Sequence, residues 1–397
     1  TLDFADDSDV FLHEFTHYVS GNAIGYNDGQ VATDEYGLST WGGSIDEGIS
    51  DYFACTVNGD SLLGEATLVP LGAGRDLTDT SKVCPDDIVG EVHEDGEIIG
   101  SLSWTLYEKL GKEIADPLVW GAVSLLTKGS SFDDFAKGLL QTAEGMVVEG
   151  KLTDTDVETI RTVLSERGLD DCGHILEVRE DLSRTTTMFG LDILGQLFGT
   201  SCGALRAGGL ALQSLFHFSH TPAEGDKGLR IQVDLTSVSG GSDYDFGIYV
   251  RAGSHVGVST SGGLLPSVNK YDLAIEHVTA GSAEMIIDAT STPPFDPTQT
   301  YYFVIEHANC PVTQAFVTAS AVTDDPTTGA GGGGGESAGV GGAGGSDTGS
   351  GASSAAAREI DSGCGCRTAG EPKNGAWAGL GALLFAAGVG VRRRMRR

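Results

Sequence analysis

The sequence has few positively charged residues for its length. Its 397 residues contain 24 Lys and Arg against 56 Asp and Glu, so the formal net charge is −32 at pH 7. Because binding to a phosphate backbone depends on Lys and Arg, we expect no nucleic-acid partner. The last six residues hold a cluster of cations, Arg392, Arg393, Arg394, Arg396 and Arg397, and the rest of the chain is therefore more acidic still.

Long apolar runs are scarce as well. Residues 375–391 form an uncharged run of 17 residues, the only apolar segment that reaches the lower length limit for a membrane-spanning helix. A polytopic membrane protein is therefore excluded. Glycine, by contrast, is abundant, with 59 residues. It is densest, without a fixed period, in residues 329–354, and this composition predicts a flexible spacer rather than a fibrous repeat.

Hydrophobic patterning divides the chain into a helical region, a strand-rich region and a low-complexity tail. The predicted fold class is multidomain: a mainly α-helical lobe, an antiparallel β-sandwich, a Gly-rich linker and a single C-terminal apolar helix. We expect the chain to be a fragment or a processed form. The predicted boundaries are 1–168 for the lobe, 169–204 for a connector, 205–322 for the β-sandwich, 323–363 for the linker and 364–397 for the tail.

Five helices are expected in the lobe and four clear strands in the sandwich. Ser131 with Asp134, and Thr153 with Asp156, have the spacing of capping boxes and predict two helix starts. The other helices are expected from Asp7 or Ser8 to Val19, over 46–55 and over 96–110, and the strands over 229–235, 246–251, 283–288 and 301–305.

The seven cysteines predict disulfides rather than a metal site. Cys364 and Cys366 belong to the tail, and no CxxC spacing or Cys/His cluster suggests a thiolate metal site. In an exported protein the remaining cysteines would oxidise in pairs, and one of the five would stay unpaired. Their pairing is open from the sequence. These five are Cys55, Cys84, Cys172, Cys202 and Cys310.

The first motif with candidate catalytic residues is His13-Glu14-Phe15-Thr16-His17, an HExxH motif on a predicted helix. Residues four apart on an α-helix lie about 40° apart around its axis, so both imidazoles can bind one ion. Glu14 then lies beside them, where it can reach a water molecule on the metal. The alternative interpretation is a pair of histidines on an acidic surface helix.

A catalytic zinc needs a third protein ligand, for which Glu47 is the candidate. Glu47 and Asp51 are four apart on a predicted helix, so Glu47 can bind the metal while Asp51 accepts the second N–H of a ligand histidine. The alternative is an acidic helix start, in which the negative charges of Asp46 and Glu47 interact favourably with the helix macrodipole.

Three blocks resemble the thermolysin-like gluzincins, and among them the fungalysin type most closely. Residues 9–17 match the family's motif Asp-Val-x-x-His-Glu-x-x-His, and residues 47–51 match its motif Glu-Gly-x-Ser-Asp. Residues 92–98 resemble its motif Val-His-x-x-Gly-Glu. The family also places a β-rich lobe before the HExxH helix. Here twelve residues precede His13, so one wall of the substrate cleft is not provided by this sequence.

The resemblance implies a role for each matched residue. His13, His17 and Glu47 would bind one catalytic Zn²⁺, with Glu14 as general base and Asp51 orienting a ligand histidine. His93 would hydrogen-bond the oxyanion, although a solvated loop histidine is the alternative at that position. The resemblance also suggests an assisting role for Tyr36 and a Ca²⁺ ligand at Asp9, for which the sequence offers no completing acids.

Two further resemblances concern the C-terminal half. The segment Ser242–Tyr249 and the run Tyr301–Val304 resemble the bacterial pre-peptidase C-terminal domain, and His217 and His220 are predicted to be strand or loop residues rather than a second metal site. Cys364-Gly-Cys366, the apolar segment and the final arginines resemble the myxobacterial C-terminal sorting tag. This tag implies contacts with the membrane and with sorting machinery, and location at the cell surface or outside the cell after processing.

These features together predict a secreted zinc-dependent endopeptidase that acts on protein or peptide substrates. The alternative is a surface-displayed binding or adhesion protein, in which the β-domain carries the function and the peptidase lobe is vestigial. Intact Glu14 favours the enzyme, because a decayed site has no need of a general base.

Overall fold

A computed structural model describes residues 7–25, 32–71, 74–127, 129–238, 240–259 and 266–323. Residues 324–397, which hold nearly all of the predicted linker and the predicted C-terminal apolar helix, lie outside these ranges. Among the helices that the structure describes, none is both long enough and apolar enough to span a bilayer.

Helices form most of the first part of the chain, and their starts follow local capping chemistry. Asp7 caps the first helix by accepting from the Asp9 N–H, and Ser131 and Thr153 form the two predicted capping boxes. The fourth helix was not among the predicted five, and it contains Pro117. The helices are α1 (Ser8–Ile24), α2 (Trp41–Asn58), α3 (Val92–Leu110), α4 (Lys112–Val123), α5 (Phe132–Val148) and α6 (Asp154–Glu166).

Two small antiparallel sheets are interleaved with these helices. Strands β1 (Ala32–Asp34) and β2 (Gly37–Ser39) form a hairpin before α2, and β3 (Leu62–Leu63) pairs with β4 (Arg75–Asp76) after it. The prediction of a mainly α-helical lobe is therefore not supported, because strands as well as helices build this region. The chain is a mixed α and β protein.

Glycines allow α2 and α3 to approach each other at backbone distance. A Cβ atom built on Gly48 would lie 2.4 Å from the carbonyl oxygen of Gly96, and one on Gly96 would lie 2.9 Å from that of Ser44. Side chains at these positions would force the helices apart. Their absence lets Glu47 of α2 lie close to the start of α3.

The second part of the chain forms two larger sheets, and buried side chains of both belong to one core. Two helices, α7 (Leu191–Phe198) and α8 (Cys202–Ala207), precede most of the strands. The strands are β5 (Ile175–Glu177), β6 (Arg184–Met188), β7 (Leu212–Gln213), β8 (His217–His220), β9 (Gly228–Ser237), β10 (Phe246–Ala252), β11 (Gly257–Ser259), β12 (Ser267–Lys270), β13 (Leu273–Val278), β14 (Ser282–Asp288), β15 (Tyr301–His307) and β16 (Thr313–Val322). In the larger sheet the strand order is β13-β10-β15-β8-β5, with β7 also paired to β15, and in the smaller it is β14-β9-β16-β6. The strand pairs in these two sheets are antiparallel, as predicted, except for β5 with β8.

The sandwich extends into the segment that we predicted to be a connector. Strand β6 pairs antiparallel with β16, and β5 pairs parallel with β8, so both sheets recruit strands from residues 169–204. The run Arg184-Thr-Thr-Thr-Met188 has no apolar alternation, which explains why patterning does not reveal this edge strand.

His217 and His220 are buried strand residues, as predicted. The ring of His217 donates from Nε2 to the carbonyl oxygen of Tyr36 at 2.7 Å, and His220 donates from Nδ1 to that of Val178 at 2.9 Å. Burial lowers the pKa of His217 to about 3, so this ring is neutral. Neither histidine belongs to a group of possible metal ligands in the described ranges.

The cysteines pair as the odd count predicts. Cys84 is bonded to Cys172, and Cys202 is bonded to Cys310, with Cα–Cα distances of 5.9 and 5.6 Å. Cys55 is the free, buried thiol among the described cysteines. The first bond ties the loop before α3 to the end of the helical region, and the second ties α8 to the loop after β15.

We expect Gly48→Ala to lower the free energy of unfolding by about 1–3 kcal/mol, because its methyl group would overlap the Gly96 carbonyl oxygen. Chemical denaturation would measure this change. Gly145→Ala on α5 is the matched control, since a Cβ atom there meets nothing within 4 Å and should leave the protein equally or slightly more stable. Equal stability of the two variants would contradict the close α2–α3 contact.

Candidate metal centre

Three side chains from two helices converge on one point. Helix α1 contributes His13 and His17 from one face, and α2 contributes Glu47. The Nε2 atoms of the two histidines are 2.9 Å apart, and Glu47 Oε2 lies 3.2 Å from His13 Nε2 and 3.5 Å from His17 Nε2. Tetrahedral ligands at about 2.0–2.1 Å from a metal are about 3.3 Å from one another. The triangle therefore has the size of three ligands around one ion.

The centre is largely enclosed and has one accessible side. The side chains of His13 and Glu47 are 5% and 3% exposed, whereas His17 retains 20%. In the described part of the chain one other group could geometrically hold a metal, Asp192 with Cys202 and Cys310. Those two cysteines form a disulfide, so they offer no thiolate.

Asp51 lies where the predicted orienting role needs it. Its Oδ1 atom is 2.7 Å from His13 Nδ1, so the imidazole is contacted on the side away from Glu47. Arg75 donates to both carboxylate oxygens of Asp51, from Nε and from Nη2, each at 2.6 Å. Burial alone would raise the Asp51 pKa, but Arg75 and His13 hold it at about 2. Asp51 is therefore ionised.

His17 has a carboxylate partner that the sequence analysis did not identify. Its Nδ1 atom lies 2.7 Å from Asp46 Oδ2, and Ser20 donates its hydroxyl to Asp46 Oδ1. The alternative interpretation of Asp46 as an acidic helix start is wrong, because α2 begins at Trp41 and has no acid in its first turn. Asp46 instead lies in the second turn and faces α1.

His93 reaches the same centre from the first turn of α3. Its Nε2 atom is 3.4 Å from Glu47 Oε1, and its Nδ1 atom is 2.8 Å from Glu91 Oε1. Glu91 also caps α3 by accepting from the backbone N–H groups of His93 and Glu94. The alternative of a solvated loop histidine is therefore wrong, since His93 is helical and 14% exposed.

Charges around Glu47 keep the buried carboxylate ionised. Burial alone would raise the Glu47 pKa, but His93, His17 and His13 lower it well below its ordinary value. Burial likewise opposes the charged form of His93, and Glu47 and Glu91 more than offset this by raising its pKa.

Glu14 lies on α1 between the two ligand histidines and is half-buried. Within the described ranges its carboxylate has no hydrogen-bond or ion-pair partner. On the outer face of the same helix three aromatic side chains, Phe11, Phe15 and Tyr18, are more than half exposed. Glu14 is thus at the border between the ligand face and the outer face, where a water molecule can reach its carboxylate.

Tyr36 and Asp9 make contacts of other kinds. The Tyr36 ring stacks on His174 at 4.6 Å and contacts His217 and His255 beside an open cleft of about 720 Å³. Asp9 accepts from the side-chain amide of Asn58 and from the Gly64 N–H at 2.9 Å. Neither residue is in the ligand triangle, so the assisting role of Tyr36 and the calcium site at Asp9 stay predictions.

Sequence reasoning missed three residues that contact the side chains of this centre: Asp46, Arg75 and Glu91. The i, i+4 spacing on α2 could have suggested Asp46, which precedes Ser50 by four residues. Arg75 lies in a two-residue strand with no recognisable pattern.

No protein-family model matches this chain, and no curated protein has a significantly similar sequence.

Proposed function

We propose that this chain is a zinc-dependent endopeptidase that hydrolyses peptide bonds in protein or peptide substrates. The observation that carries the proposal is the triangle of His13 Nε2, His17 Nε2 and Glu47 Oε2, with Glu14 next to it. Two imidazoles and one carboxylate are the donor set of a catalytic zinc site with an open position, whereas calcium and magnesium prefer oxygen ligands alone.

Each residue has a distinct part in the proposed reaction. When bound, zinc supplies a Lewis acid that polarises the scissile carbonyl group and makes water more acidic. Glu14 accepts a proton from the attacking water and passes it to the departing amine. His93, held by Glu91, offers its Nε2–H where negative charge grows on the peptide oxygen.

The two disulfides support the proposal that the protein is exported, because such bonds persist in oxidising compartments. We place it at the cell surface or outside the cell once the tail has been processed. The tail that would contact the membrane and the sorting machinery lies outside the described residues.

The purified chain should contain one tightly bound zinc ion, and His17→Ala should abolish this binding because two ligands are insufficient. Elemental analysis after dialysis would measure the metal content. His277→Ala is the control, since this histidine is 85% exposed and belongs to the β-sandwich. Wild-type protein without zinc, or equal zinc in both variants, would remove the metal centre from the proposal.

Glu14→Gln should retain zinc but reduce peptide hydrolysis by roughly 10² fold or more, because water loses its proton acceptor while the ligands remain. Turnover of a fluorogenic peptide and the zinc content would be measured on the same samples. Glu108→Gln, an exposed position on α3, should behave as wild type. Zinc-loaded wild-type protein that hydrolyses no peptide would instead favour the surface-displayed binding protein.

A further inference from the structure

We propose that Asp46 is the positioning residue of His17, which it holds in the tautomer and orientation that direct Nε2 at the metal. This inference rests on the proposed function, because it concerns the same zinc centre. Asp46 touches neither substrate nor metal in this role and acts through the imidazole alone.

The geometry of Asp46 is better suited to this task than that of the predicted orienter. His17 Nδ1 and Asp46 Oδ2 form an aligned hydrogen bond of 2.7 Å. His13 Nδ1 is equally close to Asp51 Oδ1, but this contact lies off the N–H direction, and Asp51 accepts two hydrogen bonds from Arg75. Asp46 therefore makes the better-directed hydrogen bond to a ligand histidine.

This hydrogen bond settles which ring nitrogen of His17 carries the proton. A carboxylate can only accept, so Nδ1 carries a proton, and Nε2 is the ring nitrogen left to offer its lone pair to a metal. Nε2 is the atom that lies 2.9 Å from His13 Nε2 and 3.5 Å from Glu47 Oε2. The nitrogen that would bind the metal thus points towards the centre of the triangle.

Two hydroxyl groups hold the pair in place. Ser20 on α1 donates to the second oxygen of Asp46, and the hydroxyl of Ser50 on α2 lies 3.3 Å from His17 Nδ1. Asp46 is 6% exposed, and both serines are fully buried. With both oxygens engaged in a closed site, the carboxylate cannot turn away without breaking a buried hydrogen bond.

The charges around Asp46 differ from those around Asp51. In the described ranges no Lys or Arg forms an ion pair with Asp46, whereas Arg75 neutralises Asp51. A carboxylate on the far nitrogen makes a ligand imidazole a stronger donor to the metal. The charge and the hydrogen bond therefore act in the same direction on His17.

The zinc dissociation constant, measured by competition with a chelator, tests this role in the full chain. Asp46→Ala should weaken zinc binding roughly 10 to 100 fold, because His17 loses its acceptor and the charge. Asp46→Asn should lose less, since its amide oxygen can still accept from Nδ1. Ser44→Ala is the matched control: Ser44 is buried on the same helix and donates to the Thr40 carbonyl oxygen, away from His17. Its zinc affinity should equal that of wild type.

The absorption spectrum of the Co²⁺-substituted protein distinguishes positioning from a general loss of stability. Asp46→Ala should shift the visible bands, because the imidazole changes its orientation, and Asp46→Asn should restore them towards wild type. Unchanged zinc affinity and an unchanged Co²⁺ spectrum in both Asp46 variants would overturn the inference. Absence of metal from the wild-type chain would instead overturn the proposed function. If Asp46→Ala fails to fold, Ser20→Ala provides the same comparison, with a smaller expected loss of affinity.

Discussion

The packing of α2 between α1 and α3 is the constraint on which the centre depends. Helix α1 places both histidines on one face, and the Glu47 carboxylate joins them only because α2 lies against that face. Gly48 and Gly96 then let α3 approach α2 at backbone distance, which carries His93 to within 3.4 Å of Glu47. Since interiors are close-packed, a small shift of α2 would move all these groups together.

The contact between α1 and α2 also places several buried carboxylates next to the two histidines. Helix α2 places two i, i+4 pairs side by side: Asp46 with Ser50 faces His17, and Glu47 with Asp51 faces His13. Buried carboxylates are costly unless opposite charges or donors compensate them. Arg75 compensates the charge of Asp51, while the two histidines of α1 lie next to Asp46 and Glu47. A bound divalent cation would complete the compensation at the point where the acids are most concentrated.

The helical region and the sandwich share one continuous core. The indole of Trp41, the first residue of α2, contacts Phe132 of α5 at 4.9 Å and Phe216, just before β8, at 5.3 Å. The hydrogen bond from His217 to the Tyr36 carbonyl oxygen crosses the same boundary. The β-domain therefore supports the N-terminal end of the helix that carries Glu47, and its role is not limited to that of an appended module.

The order of residues along the sequence by itself determined which side chains lie together on neighbouring turns of one helix. The HExxH spacing places His13 beside His17 for any α-helix, and capping boxes start α5 and α6 because their hydrogen bonds span three residues. Alternation along β9 and β14 likewise reflects the strand period of two. Glu91, the N-cap of α3, is a local partner of His93, whereas only the tertiary structure decided the partners Asp46 and Arg75, which lie 29 and 24 positions from His17 and Asp51. Their roles depend on how the helices and the β3–β4 sheet pack together, and no local period encodes contacts between residues more than twenty positions apart.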